Sequence, residues 1–273
     1  MIRALGSEFQ KIFTTRMWWL LTLLLVLYVA FLAGGFGAFL GWASENPSAA
    51  AGASTTPLPT DGLAPLIYSF ASSIGYVFPV LAGALAVTTE FRHKTLTPTF
   101  LAEPHRAVVL GAKFVSQLLF GAALGVVAFA AAVGAGAGAL AGFGIDTALD
   151  SSDTWALIGR GVLAMALWGT IGVGLGSLVP NQVAAIVIVI AFTQFVEPIL
   201  RLGASFNEVT ANIGQFLPGA ASDALVGASF YSVAAVGGAA TMLEWWQGGL
   251  VLLGIAVVTT LIGGATTWRR DVS

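Results

Sequence analysis

Thr89-Glu90-Phe91-Arg92-His93-Lys94-Thr95, then Glu103-Pro104-His105-Arg106, then Lys113, form one basic stretch between two long apolar runs. The run from Pro65 to Thr89 precedes it and the run from Val108 to Ala141 follows it. Charged residues are only 9% of the chain, against about 25% in an ordinary soluble domain. A chain so poor in charge cannot cover a globule with polar surface, and a bilayer is the solvent that suits it. Crossing a hydrocarbon core of about 30 Å takes roughly 20 apolar residues. Both flanking runs meet that length, so the basic stretch reads as a loop joining two membrane spans.

The same reading extends outward through all 273 residues, 57% of them hydrophobic, with mean hydropathy +0.90. Backbone groups inside a bilayer must satisfy one another, which favours helices. The apolar runs are continuous and lack the ten-residue alternation of a transmembrane β-barrel. The expected fold is an all-α membrane protein with six transmembrane helices, at 17–40, 65–89, 108–141, 155–179, 183–200 and 247–268. Residues 1–16 precede them as an interfacial amphipathic helix: Ile2, Leu5, Phe9, Ile12 and Phe13 fall at helical spacing, with Arg3, Glu8 and Lys11 on other faces. Trp18 and Trp19 open the first span at headgroup level. Its apolar run exceeds the roughly 7–15 residues of a signal-peptide core. The third span is long and glycine-rich, so a tilt or a break is expected. Residues 201–246 are too apolar for a plain loop. A seventh span over 224–240 is one reading; the preferred one is a re-entrant pair of short outer helices at 201–246, for which Pro198 and Pro218 supply breaks. The whole is expected to be one transmembrane domain.

Charge decides the orientation. Arg3, Lys11 and Arg16 precede the first span; Arg92, Lys94, Arg106 and Lys113 lie in or beside the loop at 90–107; Arg269 and Arg270 follow the last span. Six spans put these nine of the eleven Lys and Arg on one face, and a seventh span would break that pattern. The positive-inside rule makes this face cytoplasmic, with both termini inside and the cell membrane as the location. Glu45, Asp61, Asp146, Asp150 and Asp153 fall opposite. Arg160 and Arg201, near outer helix ends, can snorkel to water.

Several chemistries are excluded or disfavoured. The chain has no cysteine, hence no disulfide, thiolate metal site or thiol nucleophile. Its two histidines, His93 and His105, share the basic loop without metal-ligand spacing. No catalytic constellation and no metal site are expected, and nothing suggests nucleic acid. There is no glycine-rich phosphate loop, so any ATP and its Mg would be bound by another chain. Mid-span positions are almost free of charge, which favours a hydrophobic or amphipathic cargo.

In order along the chain, Glu90, Arg92, Lys94-Thr95, Pro104, Arg106 and Lys113 follow a known pattern: Glu at the end of the second span, a basic residue, Gly-Thr, a small and apolar stretch, Pro shortly before Arg, and a later Lys. With Ser7-Glu8-Phe9-Gln10-Lys11 at the start and Leu217-Pro218-Gly219 before the last span, the chain resembles a permease of the ABC type-2 exporter family. One departure is visible: Lys94 stands where glycine is common. The resemblance implies two transmembrane halves, often a homodimer, each carrying a cytosolic ABC ATPase subunit, in a family that exports drugs, antibiotics, peptides, polysaccharides or lipids. It implies that the loop holds the coupling helix and that the N-terminal helix braces it. Within that frame, Phe91, Thr95, Leu96, Phe100 and Leu101 offer an apolar ridge for the ATPase, with Arg92, Lys94 and Arg106 around it. Glu90 is placed to pair with Lys11, Arg16 or Arg106, tying the bracing helix (Glu8, Lys11, Arg16) to the loop. Glu197, with Arg160 or Arg201 as partner, is a candidate for the substrate path.

Glycine pairs four apart, Gly121/Gly125, Gly138/Gly142 and Gly172/Gly176, permit close helix packing. Two other functions remain open at this stage. A secondary transporter would need midplane titratable groups or broken helices. A non-transporting membrane anchor that recruits an ATPase to a sensor fits the loop equally.

Overall fold

The computed structural model describes residues 1–46, 62–204, 208–228 and 243–269. Among them the secondary structure is helical throughout, and six helices are long and apolar enough to cross a membrane. The protein is an all-α membrane protein, with six such helices among the described residues. Helix α1 is Ile2–Thr14 and the first span is α2, Met17–Glu45. The second span divides into α3, Leu63–Ser73, and α4, Val77–Arg92; a short α5, Leu96–Ala102, lies in the basic loop. The third and fourth spans are α6, Arg106–Gly142, and α7, Ser152–Leu178. The fifth comprises α8, Gln182–Ala191, a π-turn at Phe192–Val196, and α9, Glu197–Ala204. Two short helices follow, α10 at Glu208–Gly214 and α11 at Pro218–Val226; the last span is α12, Trp245–Thr266.

Two departures from the expected spans have local causes. The second span, expected whole, breaks at Ile74–Tyr76. Pro79 lacks the N–H that a continuous helix would direct to the Gly75 carbonyl, and its ring crowds that carbonyl. The Phe70 carbonyl instead accepts from the N–H groups of Ile74 and Gly75 at 3.2 and 3.3 Å. In the fifth span Pro198 poses the same problem, and the π-turn just before it absorbs the lost bond without ending the helix. The third span does the opposite. It runs unbroken for 37 residues, about 55 Å of helix, despite its glycines. Helices α10 and α11 occupy the region expected to be re-entrant. Most of the alternative seventh span at 224–240 lies outside the described residues.

The core forms around α7, which packs on α4, α6 and α12. Glycines set these distances. A Cβ on Gly172 would collide with the Val80 carbonyl, and one on Gly176 would lie 2.7 Å from the Ala84 carbonyl. Gly121 and Gly125 meet Met165, Ala166 and Val162 of α7 in the same way. The pair Gly138/Gly142 differs: neither meets any described atom within 4 Å. Large apolar side chains of α2, α8 and α12, such as Leu24, Phe31, Val187 and Leu261, point outward, as lipid-facing surfaces do.

Candidate functional site

The site is the end of the bundle where the basic segments gather. Helix α4 continues past the apolar run to Arg92 and stops in a defined turn. The Lys94 N–H donates to the Phe91 carbonyl at 3.3 Å and the Thr95 N–H to the Glu90 carbonyl at 3.0 Å, the two bonds of a Schellman cap. That cap requires a left-handed residue, and Lys94 takes it with φ of 56°. The position where the resembled pattern carries glycine is thus one whose backbone suits glycine. Lys94→Gly is expected to be neutral or to stabilise by up to about 1 kcal/mol, and Lys94→Val to destabilise by about 1 kcal/mol. Unfolding titrations of the three proteins in mixed micelles check this.

Beneath the turn lies a four-charge cluster. Lys113, on α6, is 0% exposed; Glu8 and Glu90 are each 5% exposed. Lys113 Nζ lies 2.7 Å from Glu8 Oε2, 2.8 Å from Glu90 Oε1 and 3.1 Å from the Ala86 carbonyl, matching the three donors of an ammonium. Lys11 Nζ lies 2.6 Å from Glu8 Oε1 and 2.6 Å from Glu90 Oε1. Two carboxylates and two ammoniums alternate, so the charge sums to zero in a place where a lone charge would be very costly. Glu90 Oε2 is buried without a partner among the described residues.

The cluster shows which way α1 is turned. Glu8, expected only to lie off the apolar stripe, faces the bundle, where Lys113 meets both it and Glu90. The apolar Ile2, 88% exposed, and Phe13 point away. Glu90 pairs with Lys11, as one of the named options had it, and also with Lys113. Arg16 is exposed, and Arg106 goes elsewhere. Burial opposes the charge on Lys11, but hydrogen bonds and charge from Glu8 and Glu90 outweigh it and hold the ammonium above its ordinary 10.5. A folded-state value above the unfolded one adds stability that is complete below pH 10.5 and disappears as pH rises through the folded value. Thermal melts should therefore fall more steeply above that pH for the natural protein than for Lys11→Met.

A second, small core supports the loop from the other side. Leu96 is buried with Val87, Val109, Leu110, Val173 and Trp268. Phe91 and Phe100 pack edge-on against the Trp268 ring, with centroids 6.3 and 5.7 Å away. The Arg106 guanidinium lies 5.0 Å over Phe100 and donates to the Trp268 carbonyl. Arg92 donates to Gln182 Oε1 at 3.1 Å, tying the loop to the turn before the fifth span. Pro104 sits in the extended link between α5 and α6. Hydrogen bonds from the neighbouring His105 hold the Glu103 carboxyl below its ordinary value.

The expected apolar ridge is thus largely turned inward: Leu96, Phe91 and Phe100 are part of the loop's own support. The outward face carries Arg92, His93, Lys94, Thr95 and Leu101, the last 81% exposed. Sequence reasoning missed Trp268, which reads as an interfacial aromatic beside two arginines and is instead a buried strut. It placed Lys113 among the loop's positive charges and as the later Lys of the resembled pattern, without naming a partner for it.

At the opposite end the structure brings Glu197 to Arg201 and not to Arg160. Glu197 is 1% exposed. Its Oε1 lies 3.3 Å from Arg201 Nη2 and accepts from the Gly219 N–H, at the start of α11. Arg201 Nη1 lies 2.6 Å from Asp223 Oδ2, and Ser73 Oγ is 3.3 Å from Asp223 Oδ1. A Cβ on Gly219 would collide with Glu197 and Arg201, which gives Leu217-Pro218-Gly219 a physical reason. The cluster joins α9, α11 and the broken end of α3. Arg160 instead lies 5.1 Å over the Trp245 ring.

The sequence matches no protein-family model and none of the curated proteins.

Proposed function

We propose that the chain is the permease subunit of an ATP-driven exporter, working with a separate cytosolic ABC ATPase and a second permease subunit, a copy of itself. One observation carries the reading: the buried Glu8–Lys11–Glu90–Lys113 cluster, which fastens the base of the basic loop to α1 and α6. A loop that merely fixed topology would need no such anchorage. A loop that receives a push must pass it on, and buried ion pairs resist separation because each partner left alone is costly.

In this mechanism the ATPase seats against α5 and the exposed Arg92, Lys94 and Leu101. Movement of the loop carries the inner ends of α1, α4 and α6 as one body. The glycine-lined contacts between α4 and α7 let that body slide against the centre. The distant Glu197–Arg201–Asp223 cluster holds α11 to the fifth and second spans and closes the outer end. The cargo class is hydrophobic or amphipathic. The cell membrane, with both termini in the cytosol, belongs to the same proposal.

A tagged chain purified from its own cells is expected to retain an ABC ATPase, and alone to hydrolyse no ATP. Arg92→Glu with Leu101→Asp should lower retention about tenfold, since the interface loses an apolar anchor and gains two wrong charges. Undiminished retention, or hydrolysis by the chain alone, contradicts the reading.

A second reading has one observation in its favour. Glu197 is buried beside both helix interruptions, at Ile74–Tyr76 and Phe192–Val196, a pattern that ion-coupled secondary carriers use. Against it, Arg201 already pairs with that carboxylate. Transport by the chain alone, driven by an ion gradient and abolished in Glu197→Gln, would favour the carrier.

A further inference from the structure

A cavity of about 320 Å³ lies beside the four-charge cluster, within the roughly 300–1,000 Å³ range of small-molecule sites. Its walls come from α1, the start of α2, the inner half of α4, and α6. The exposed Thr14, Thr15 and Met17 stand at its mouth, where α1 turns into the first span. Ala82, Leu85 and Phe120 line its depth and are buried.

Two lining side chains are unfinished. Glu90 Oε2 and Gln117 Oε1 are both buried hydrogen-bond acceptors without a partner among the described residues, on residues 5% and 2% exposed. A buried acceptor left unmet costs about 1–3 kcal/mol, so a ligand that brings donors gains from both. The cluster beside them limits what that ligand can be. Its four charges already cancel, and two ammoniums sit on Glu90 Oε1, so a cationic ligand would face both of them. An anion would find two unmet acceptors where it needs donors: the three Lys113 donors are taken by Glu8, Glu90 and Ala86, and Lys11 brings a single N–H beyond its bonds to Glu8 and Glu90.

We infer that this cavity binds an uncharged amphiphile, with an apolar body in the pocket and a hydroxyl or amide N–H group donating to Glu90 and Gln117. This deepens the exporter reading by giving a chemistry for the cargo, and its role as a point of cargo entry rests on that reading. Binding itself does not, so it is measured on the full chain without an ATPase.

The test uses the chain in nanodiscs with a diazirine-bearing decanol and a diazirine-bearing decane as photolabels. The alcohol should label segments containing Trp18 and Leu85, with 1-decanol competing and decane not. Gln117→Leu, which keeps the shape and removes the acceptor, should weaken competition about tenfold. Leu21, on α2, also lines the cavity; Leu21→Trp, which fills part of it and leaves both acceptors, should abolish labelling even if the first variant fails to fold. Competition by 1-decanol identifies a diffusible source, and competition by dioctanoylglycerol alone identifies a membrane lipid; either supports the site. Equal labelling by the hydrocarbon, or no labelling of these segments, overturns it. Retention of an ATPase is read separately, so the two proposals fail independently.

Discussion

Lys113→Met is expected to destabilise the protein by about 3–5 kcal/mol, the range for breaking a buried ion pair by removing one partner. The residue is 0% exposed and holds both Glu8 and Glu90. Without it two buried carboxylates share Lys11 alone, and the Ala86 carbonyl loses a donor. Detergent-titrated unfolding gives the size of the loss, and proteolysis within α1 its location. Adding Glu8→Leu to Lys113→Met leaves Glu90 paired with Lys11 and charge balanced again. The double variant should recover about half of the loss, because these sites couple strongly. If the double variant is no better than the single, the cluster does not act as a unit.

The second large effect is expected at Gly172. A Cβ there would collide with the Val80 carbonyl and lie 3.0 Å from the Ala84 nitrogen. Both are helix backbone, which cannot move aside as a side-chain tip can. Gly172→Val should therefore cost about 3 kcal/mol, at the upper end of overpacking. Gly138→Ala is the matched control. With no described atom within 4 Å, it should be neutral or stabilise by up to about 1 kcal/mol through helix propensity. Equal losses at the two positions would mean that glycine serves bending rather than contact.

These two cases show where the sequence was legible. Six spans could be read because long apolar runs have one solution in a bilayer, and the basic loop because charge is scarce. Glycine spacing identified Gly172/Gly176 and Gly121/Gly125 but equally Gly138/Gly142, since spacing says nothing of what stands opposite. The link from Lys11 to Glu90 was among the readings of the loop. Lys113 as its centre was not, because a lysine one helical stretch beyond a basic loop looks like more of that loop. Burial of Glu8 was hidden for a related reason: amphipathic periodicity assigns charges outward, and only the folded neighbours reverse it. The break at Ile74–Tyr76 had a signal in Gly75 and Pro79. Trp268 had none, because interfacial and buried tryptophans share the same flanks.

The chain lacks cysteine, so a single introduced thiol reports its side of the membrane without background. In the proposed orientation the basic loop lies in the cytosol and the turn after the third span outside. A membrane-impermeant maleimide applied to intact cells should label Ala148→Cys and spare Lys94→Cys, which reacts only after permeabilisation. Labelling of Lys94→Cys from outside would contradict the account at its root.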